Sequence, residues 1–146
     1  YNNLPAATIR TFRPFGDEAM LERCEDVVAQ NLASPRNRYD LIGQQGGQIV
    51  AWAYLADLTA PSPYLGVVVA EALRGKGVGK ALTTMLLGWA RTQQIPAVYL
   101  MVVQDNQVAI NLYRQQGFEV YDEEFDDLDQ LPYYHMVCDL TKTTHE

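Results

Sequence analysis

The sequence predicts an α/β domain, a mixed sheet with helices on both faces, and three observations carry that prediction. The chain has 146 residues, the length of one compact unit rather than two. Its composition, 48% hydrophobic against 20% charged, supplies a core and departs from that of disordered chains. Its apolar pattern switches between short strand-like runs and helical stripes, in the order β-α-β-β-β-α-β-α-β-β. A single domain over residues 1–146 is the expectation.

Each element has a local reason. Ile9 to Phe12 alternates and reads as a first strand, closed by Pro14 and Gly16. Asp17 stands where an N-cap is needed, and Met20, Cys24, Val27, Val28 and Leu32 then fall on one helical face. Ser34-Pro35-Arg36-Asn37 breaks that helix. Tyr39 to Gly43 and Gln48 to Leu55 read as a hairpin turned through Gly46-Gly47. Beyond the loop Thr59 to Pro63, the apolar run Tyr64 to Val69 reads as a buried central strand. A turn from Ala70 to Gly77 leads into a helix with Val78, Leu82, Met85, Leu86 and Trp89 on one stripe. Ile95-Pro96 stops it, and Ala97 to Val103 is another strand. Asn106 to Gln116 forms a short helix with Ala109, Leu112 and Tyr113 inward, ended by Gly117. Phe118 to Phe125 and Tyr133 to Leu140 supply two closing strands.

Charge and composition narrow the function. A formal net charge of −7 disfavours a phosphate backbone, so no nucleic-acid partner is expected. The longest apolar stretch, Tyr64 to Ala70, is far short of the ~20 residues of a membrane helix. No basic segment followed by an apolar one opens the chain, so no membrane partner is expected and the cytoplasm is the expected compartment. Cys24 and Cys138 lack any paired ligand spacing and are expected as small buried thiols. His135 and His145 are the only histidines, with no ligand spacing around them, so no metal is expected.

The informative segment is Arg74-Gly75-Lys76-Gly77-Val78-Gly79-Lys80, set between a buried strand and a helix. Glycines let a ligand approach the backbone, while free N–H groups and the helix dipole favour an anion. Arg74, Lys76 and Lys80 add positive charge in an acidic chain, and the implied ligand is a phosphate or pyrophosphate. A P-loop fails at both ends, because Arg74 stands at its first glycine and Ala81 follows Lys80. The dinucleotide fingerprint fails at its last position, which is Lys80 or Leu82 in the two possible registers, and no acid ends the next strand near Leu100. The pattern Arg-x-x-Gly-x-Gly is satisfied by Arg74, Gly77 and Gly79.

That pattern resembles the acetyl-coenzyme A (acetyl-CoA) site of the GNAT superfamily of N-acetyltransferases. Leu65 to Val69 resembles the strand entering that family's loop, and Asn106, Ala109, Tyr113, Gly117 and Phe118 reproduce its downstream Asn-x-x-Ala-x-x-x-Tyr pattern ending in Gly-Phe. The resemblance implies a mostly antiparallel sheet whose central strands splay at the acetyl-CoA site. It implies that the amides from Arg74 through Lys80 (Arg74, Gly75, Lys76, Gly77, Val78, Gly79 and Lys80) clasp the pyrophosphate. Val67, Val68 and Val69 would bind the pantetheine arm through their backbone, with Asn106 and Ala109 beside it. Asn106 has the alternative of simply capping its helix.

Acetyl transfer to an amine requires that the ammonium lose a proton, that an oxyanion be stabilised and that the thiolate be protonated. A backbone N–H near Val68 or Val69 is the expected oxyanion donor. By resemblance Tyr113 is the general acid, its alternative being a tyrosine packed in the core. Some relatives carry a glutamate base where this chain has Met101, which leaves Glu71, Tyr64, Asp105, Tyr134 and His135 as candidates. Neither cysteine sits at a predicted helix start or near a recognisable activating histidine, so direct transfer through a ternary complex is expected.

Seven acids, Glu119, Asp122, Glu123, Glu124, Asp126, Asp127 and Asp129, account for a charge equal to the whole formal net charge. They read either as a solvated loop or as a negative rim that concentrates a cationic amine. Tyr133-Tyr134 beside them either suits a strand or lines the cleft. The expected function is acetyl transfer from acetyl-CoA to a primary amine of a small, cationic acceptor, with a homodimer as a possible assembly. Protein or peptide N-acetylation and a non-catalytic acyl-CoA sensor are the alternatives.

Overall fold

The computed structural model describes residues 21–142. The expected first strand Ile9 to Phe12, its closure at Pro14 and Gly16, the Asp17 cap, Met20 and His145 lie outside the described residues. Among those described, helix α1 (Leu21–Leu32) is followed by strands β1 (Tyr39–Gln45), β2 (Gln48–Ala56) and β3 (Tyr64–Val69). A single 3-10 turn (Glu71–Leu73) leads into helix α2 (Val78–Thr92), then β4 (Ala97–Val103), helix α3 (Gln107–Gln115), β5 (Phe118–Asp126) and β6 (Leu131–Asp139). The strands form one six-stranded sheet in the order β1-β2-β3-β4-β6-β5. Every neighbouring pair is antiparallel except β3 with β4.

One apolar core lies between the sheet and the two helices α2 and α3. Ala51, Ala53 and Leu55 from β2, Val98, Leu100 and Val102 from β4, and Met136 and Cys138 from β6 face Leu82, Leu86, Leu87 and Ala90 of α2. Ile110 and Tyr113 of α3 and Phe118 of β5 complete it. The period-two side-chain alternation of a strand sends the intervening residues to the opposite face. There Trp52 and Tyr54 meet a polar cluster instead of a helix core. The Arg38 guanidinium, 6% exposed, forms a two-pronged ion pair with Asp40 at 2.7 and 3.1 Å. Asp40 also accepts from Trp52 Nε1 at 2.7 Å and from Asn31 of α1 at 2.9 Å. The Arg38 guanidinium then lies 4.0 Å from the centroid of the Tyr54 ring. Breaking such a buried pair strands a charge, at a cost of about 3–5 kcal/mol.

Two expected helix faces hold only in part: Val27 of α1 is half-buried, and Val78, Leu82, Leu86 and Trp89 of α2 pack in or against the core. In α1, Cys24, Val28 and Leu32 are exposed, the last two at 58% and 80%. The helix is tied to the sheet by Asn31 through Asp40, and Asn37 anchors its C-terminal end through Gln30. Cys24 is therefore an exposed free thiol, whereas Cys138 is buried as expected. In α2, Met85 is 57% exposed and the buried stripe runs through Leu82, Thr83, Leu86, Leu87 and Ala90. The polar residue in that stripe is satisfied, because Thr83 Oγ1 donates to the Gly79 carbonyl at 2.8 Å. In α3, Ile110 at 1% exposure is the main core residue and Ala109 and Leu112 are half-buried.

Gly66 shows why β3 reads as it does. It pairs across to Tyr54, and a Cβ built on it would collide with Tyr54 Cζ and lie 2.6 Å from the hydroxyl oxygen. A strand-interior glycine costs stability unless something must approach closely, and here the tyrosine ring does. Gly66→Ala should destabilise the fold by about 1–3 kcal/mol through overpacking. Urea denaturation checks this, and pairing it with Tyr54→Ala should show strong non-additivity, since the second change removes the clash.

Candidate active site

The two central strands are bridged in register at a single residue pair, Tyr64 with Tyr99, backed by a bond from the Tyr99 N–H to the Pro63 carbonyl at 2.9 Å. Beyond that point β3 and β4 diverge and open a gap. Which backbone groups face it follows from the neighbouring ladders. The Ala70 N–H bonds the Val50 carbonyl at 2.7 Å, and antiparallel pairs alternate between bonded and outward-facing residues. Gly66 and Val68 therefore bond to β2, while the N–H and C=O groups of Val67 and Val69 point into the gap. The Leu140 N–H bonds the Pro96 carbonyl at 2.9 Å, so by the same alternation Met101 and Val103 present theirs from β4. Of the two expected oxyanion donors, Val69 faces the gap and Val68 is committed to Trp52. The side chains of Val67 and Val69 pack against the core.

The glycine loop closes the wide end of this gap. The Arg74 N–H is taken by the Glu71 carbonyl at 3.2 Å, and Arg74 Nε donates to the Val69 carbonyl at 3.4 Å. The expected amide clasp therefore shortens to Gly75 through Lys80. Gly75 and Gly77 sit at φ of +77° and +82°, with no atom within 4 Å of where a Cβ would lie. Their left-handed backbone demands glycine, and the open space above them admits a ligand. Gly77 caps α2, whose first internal bond runs from the Ala81 N–H to the Gly77 carbonyl at 3.0 Å. The N–H groups of Val78, Gly79 and Lys80 thus have no partner within the helix. The first turn of α2 holds no acid, and Lys76 and Lys80 are exposed beside it. A positive dipole end with added cations is an unfavourable arrangement unless an anion joins it.

Helix α3 approaches the same place. Val69 Cγ2 and Leu112 Cδ2 each lie 3.6 Å from a Cβ built on Gly79, so strand end, loop helix and α3 converge there. Asn106 caps α3, its Oδ1 accepting from the Ala109 N–H at 3.3 Å. Tyr113 is 7% exposed and meets Phe118 edge-on at 5.7 Å. Burial pushes its phenol well above the ordinary tyrosine range, so the hydroxyl keeps its proton. Tyr54, over Gly66 on the opposite sheet face, is raised for the same first reason, with Tyr64, Asp40 and Tyr113 adding to the rise against the lowering effect of Arg38. Two protonated phenols thus lie on opposite faces of the sheet, near enough to interact electrostatically.

The candidate bases are scattered. Glu71 is exposed on the 3-10 turn, Asp105 is exposed before α3, and Tyr134 packs against the core on the helix-covered face. Tyr64 is 39% exposed and meets Tyr54 edge-on. His135 lies on the opposite face from Tyr134, beside Met101, which is 48% exposed. The acids Glu119 to Asp126 lie on β5 itself, an edge strand, rather than in a loop, because pairing with β6 extends to Asp126. Several have partners: Asp126 accepts from the N–H groups of Leu128 and Asp129, Asp129 from the Tyr133 hydroxyl, and Glu124 pairs with His135. Glu123, Glu124 and Phe125 with Gln104 and Pro132 line an open recess of about 380 Å³. The Arg38–Asp40–Trp52–Tyr54 cluster was not anticipated. Its readable signals are Gly66 inside a strand and an Arg and an Asp two apart at a strand start.

Comparison with known proteins gives a consistent picture. The profile of the Acetyltransferase (GNAT) family matches residues 6–118. N-alpha-acetyltransferase RimI of Mycobacterium tuberculosis is 37% identical over 94 residues, covering 62% of this chain and 57% of that protein. Mycothiol acetyltransferase of Streptomyces bingchenggensis is 27% identical over 138 residues, covering 80% of this chain and 44% of that protein. The chain thus spans about half the length of these relatives. Among solved structures, spermidine N-acetyltransferase from Vibrio cholerae, in complex with CoA and spermine, superposes with a TM-score of 0.78. It is 16% identical, with 97% of this chain and 86% of that one covered, a likeness of fold.

The raised phenols set a pH dependence. The unfolded chain releases tyrosine protons near pH ~10 while buried Tyr113 and Tyr54 hold theirs, so stability present below that pH is lost as pH rises. Chemical denaturation at increasing alkaline pH should show this fall, and Tyr113→Phe should flatten its slope.

Proposed function

The chain belongs to the Acetyltransferase (GNAT) family, and from that premise we propose that it is a single-domain N-acetyltransferase using acetyl-CoA. The observation that carries the reading is the gap opened beyond the Tyr64–Tyr99 bridge beside an amide-lined, cation-flanked helix start. The residues fit the cosubstrate. Gly75 through Lys80 offer N–H groups for its pyrophosphate, with open space above Gly75 and Gly77. Val67 and Val69 offer strand-like hydrogen bonds to the pantetheine amides, and Ala109 leaves room beside them. Asn106 serves this site as the cap that fixes α3.

The bound thioester supplies an acetyl group with a thiolate as leaving group, and this chain's groups do the rest. The Val69 N–H is a fixed donor for the developing oxyanion, where one such donor is worth about 10²–10³ in rate. Tyr113, held protonated by burial, donates its hydroxyl hydrogen to the departing sulfur. The acceptor is a primary amine that attacks directly. The acids of β5, with no Lys or Arg between Arg114 and Lys142, favour a cationic acceptor such as a polyamine or amino sugar. The identity with RimI, named an N-alpha-acetyltransferase, favours a peptide amine as the second reading.

Coenzyme A at a hundred times its dissociation constant should stabilise the fold by about 2.7 kcal/mol. Thiol release from acetyl-CoA should depend on an added amine. Tyr113→Phe should lower turnover by about 10²–10⁴-fold and leave the coenzyme-induced stabilisation intact. Stabilisation without thiol release on polyamines, amino sugars or peptides would instead mean a sensor, and no stabilisation at saturating coenzyme would refute the site.

A further inference from the structure

The sheet face opposite α2 and α3 carries a polar pair that the groups assigned so far do not use. His135 on β6 bonds through Nε2 to Glu124 Oε2 on β5 at 3.0 Å. The ring N–H donates and the carboxylate accepts, which leaves Nδ1 with a lone pair. The two side chains are 23% and 53% exposed, so the pair is anchored yet open to water.

Register fixes where this pair stands. His135 is the direct cross-strand partner of Met101, and opposed residues share a face with Cβ atoms about 5 Å apart. Met101 belongs to β4, one wall of the gap, so the imidazole stands one strand away from it. Tyr121 meets the ring in a tilted contact with centroids 6.0 Å apart, and Tyr99 in turn meets Tyr121 edge-on at 6.0 Å. The titratable groups around it are Glu124, Asp122 and Tyr121 on β5, Tyr99 on β4 and Tyr133 on β6. Of these, Glu124 bonds the ring, and the Tyr133 hydroxyl donates to Asp129 at 2.9 Å. Neither β4, β5 nor β6 contributes a Lys or Arg.

We infer that His135, held by Glu124, takes the proton from the acceptor ammonium through a water lying over Met101. The inference rests on the acetyl-transfer reading and supplies its missing base. The imidazole takes one ammonium proton, and the freed nitrogen bonds to the thioester carbonyl carbon. The C–S bond breaks, Tyr113 gives its hydroxyl hydrogen to the sulfur and regains the second nitrogen proton, leaving amide, free thiol, neutral Tyr113 and imidazolium. An imidazole nitrogen is a competent proton acceptor, and the carboxylate partner holds the ring in place. Glu124 is a positioning residue.

The test combines pH profiles of thiol release, using spermidine and a tetrapeptide with a free α-amine, with a proton NMR titration of His135 in the ligand-free protein. In wild type, kcat/KM should rise with pH along a limb that coincides with the His135 titration. His135→Gln should lower kcat/KM near neutrality by about 10²–10⁴-fold and abolish that limb, with stabilisation by coenzyme A unchanged. Glu124→Gln should lower kcat while leaving the KM for the amine and the limb in place, because the imidazole loses the carboxylate that orients its ring. An unchanged profile in His135→Gln, a wild-type limb that stands apart from the His135 titration, or an unaltered kcat in Glu124→Gln would overturn the inference. Absence of wild-type turnover on these two amines and on an amino sugar would overturn the acetyl-transfer reading itself, and the inference with it.

Discussion

The molecule is organised around the place where its sheet stops being a sheet. Past the Tyr64–Tyr99 bridge, Val67 and Val69 on one side and Met101 and Val103 on the other direct backbone groups into a gap. The Val103 carbonyl is taken by the Asn106 N–H at 3.0 Å as the chain turns into α3. The N–H groups of Val67 and Val69 face the space in which a strand would otherwise lie. Backbone donors of this kind seek a partner, because an unsatisfied buried amide costs about 1–3 kcal/mol. An extended ligand with its own amides can stand in for the absent strand.

Other features of the fold hold that opening in place. At its wide end, Val69 is followed by a 3-10 turn whose internal bonds use Ala70, Glu71, Leu73 and Arg74, so hydrogen bonds hold the backbone up to Arg74. Left-handed glycines then turn the backbone into α2 with its first amides unspent. On the helix-covered face, Tyr113 is locked among Phe118 and the core. On the other face, Tyr54 is clamped over Gly66 by the Arg38 guanidinium, itself held by Asp40, Trp52 and Asn31. The buried ion pair thus holds an aromatic ring over Gly66 of β3, one wall of the gap, rather than only filling space.

Much of this was legible in the sequence because it is local. The glycine loop, the strand before it, the Asn106 cap and Tyr113 each follow from short spacings, and six of the seven expected strands fall within the described residues, close to the expected bounds. What the sequence hid depends on register. The bonding parity that separates Val69 from Val68 is set by a partner strand, not by β3's own composition. His135 and Glu124 are eleven residues apart in the chain and meet only because of the β5–β6 pairing and its bulge near Tyr121. The expected stripe of α2 holds at Val78, Leu82, Leu86 and Trp89 but not at Met85, and Thr83 joins the buried face because a threonine bonded to its own helix costs little to bury. The α1 face misled for a similar reason, since Asn31, not its aliphatic residues, makes the tie to the sheet.

The most direct measurement is an amide-resolved NMR titration with coenzyme A, reading shift changes and hydrogen-exchange protection along β3 and the loop. The expected result separates neighbours. Val67, Val69 and the amides from Gly75 to Lys80 should gain protection, whereas Val68, already bonded to β2, and Arg74, already bonded to Glu71, should gain little. Uniform protection across β3, or none at Val67 and Val69 at saturating coenzyme, would contradict the assignment of the gap as the binding site.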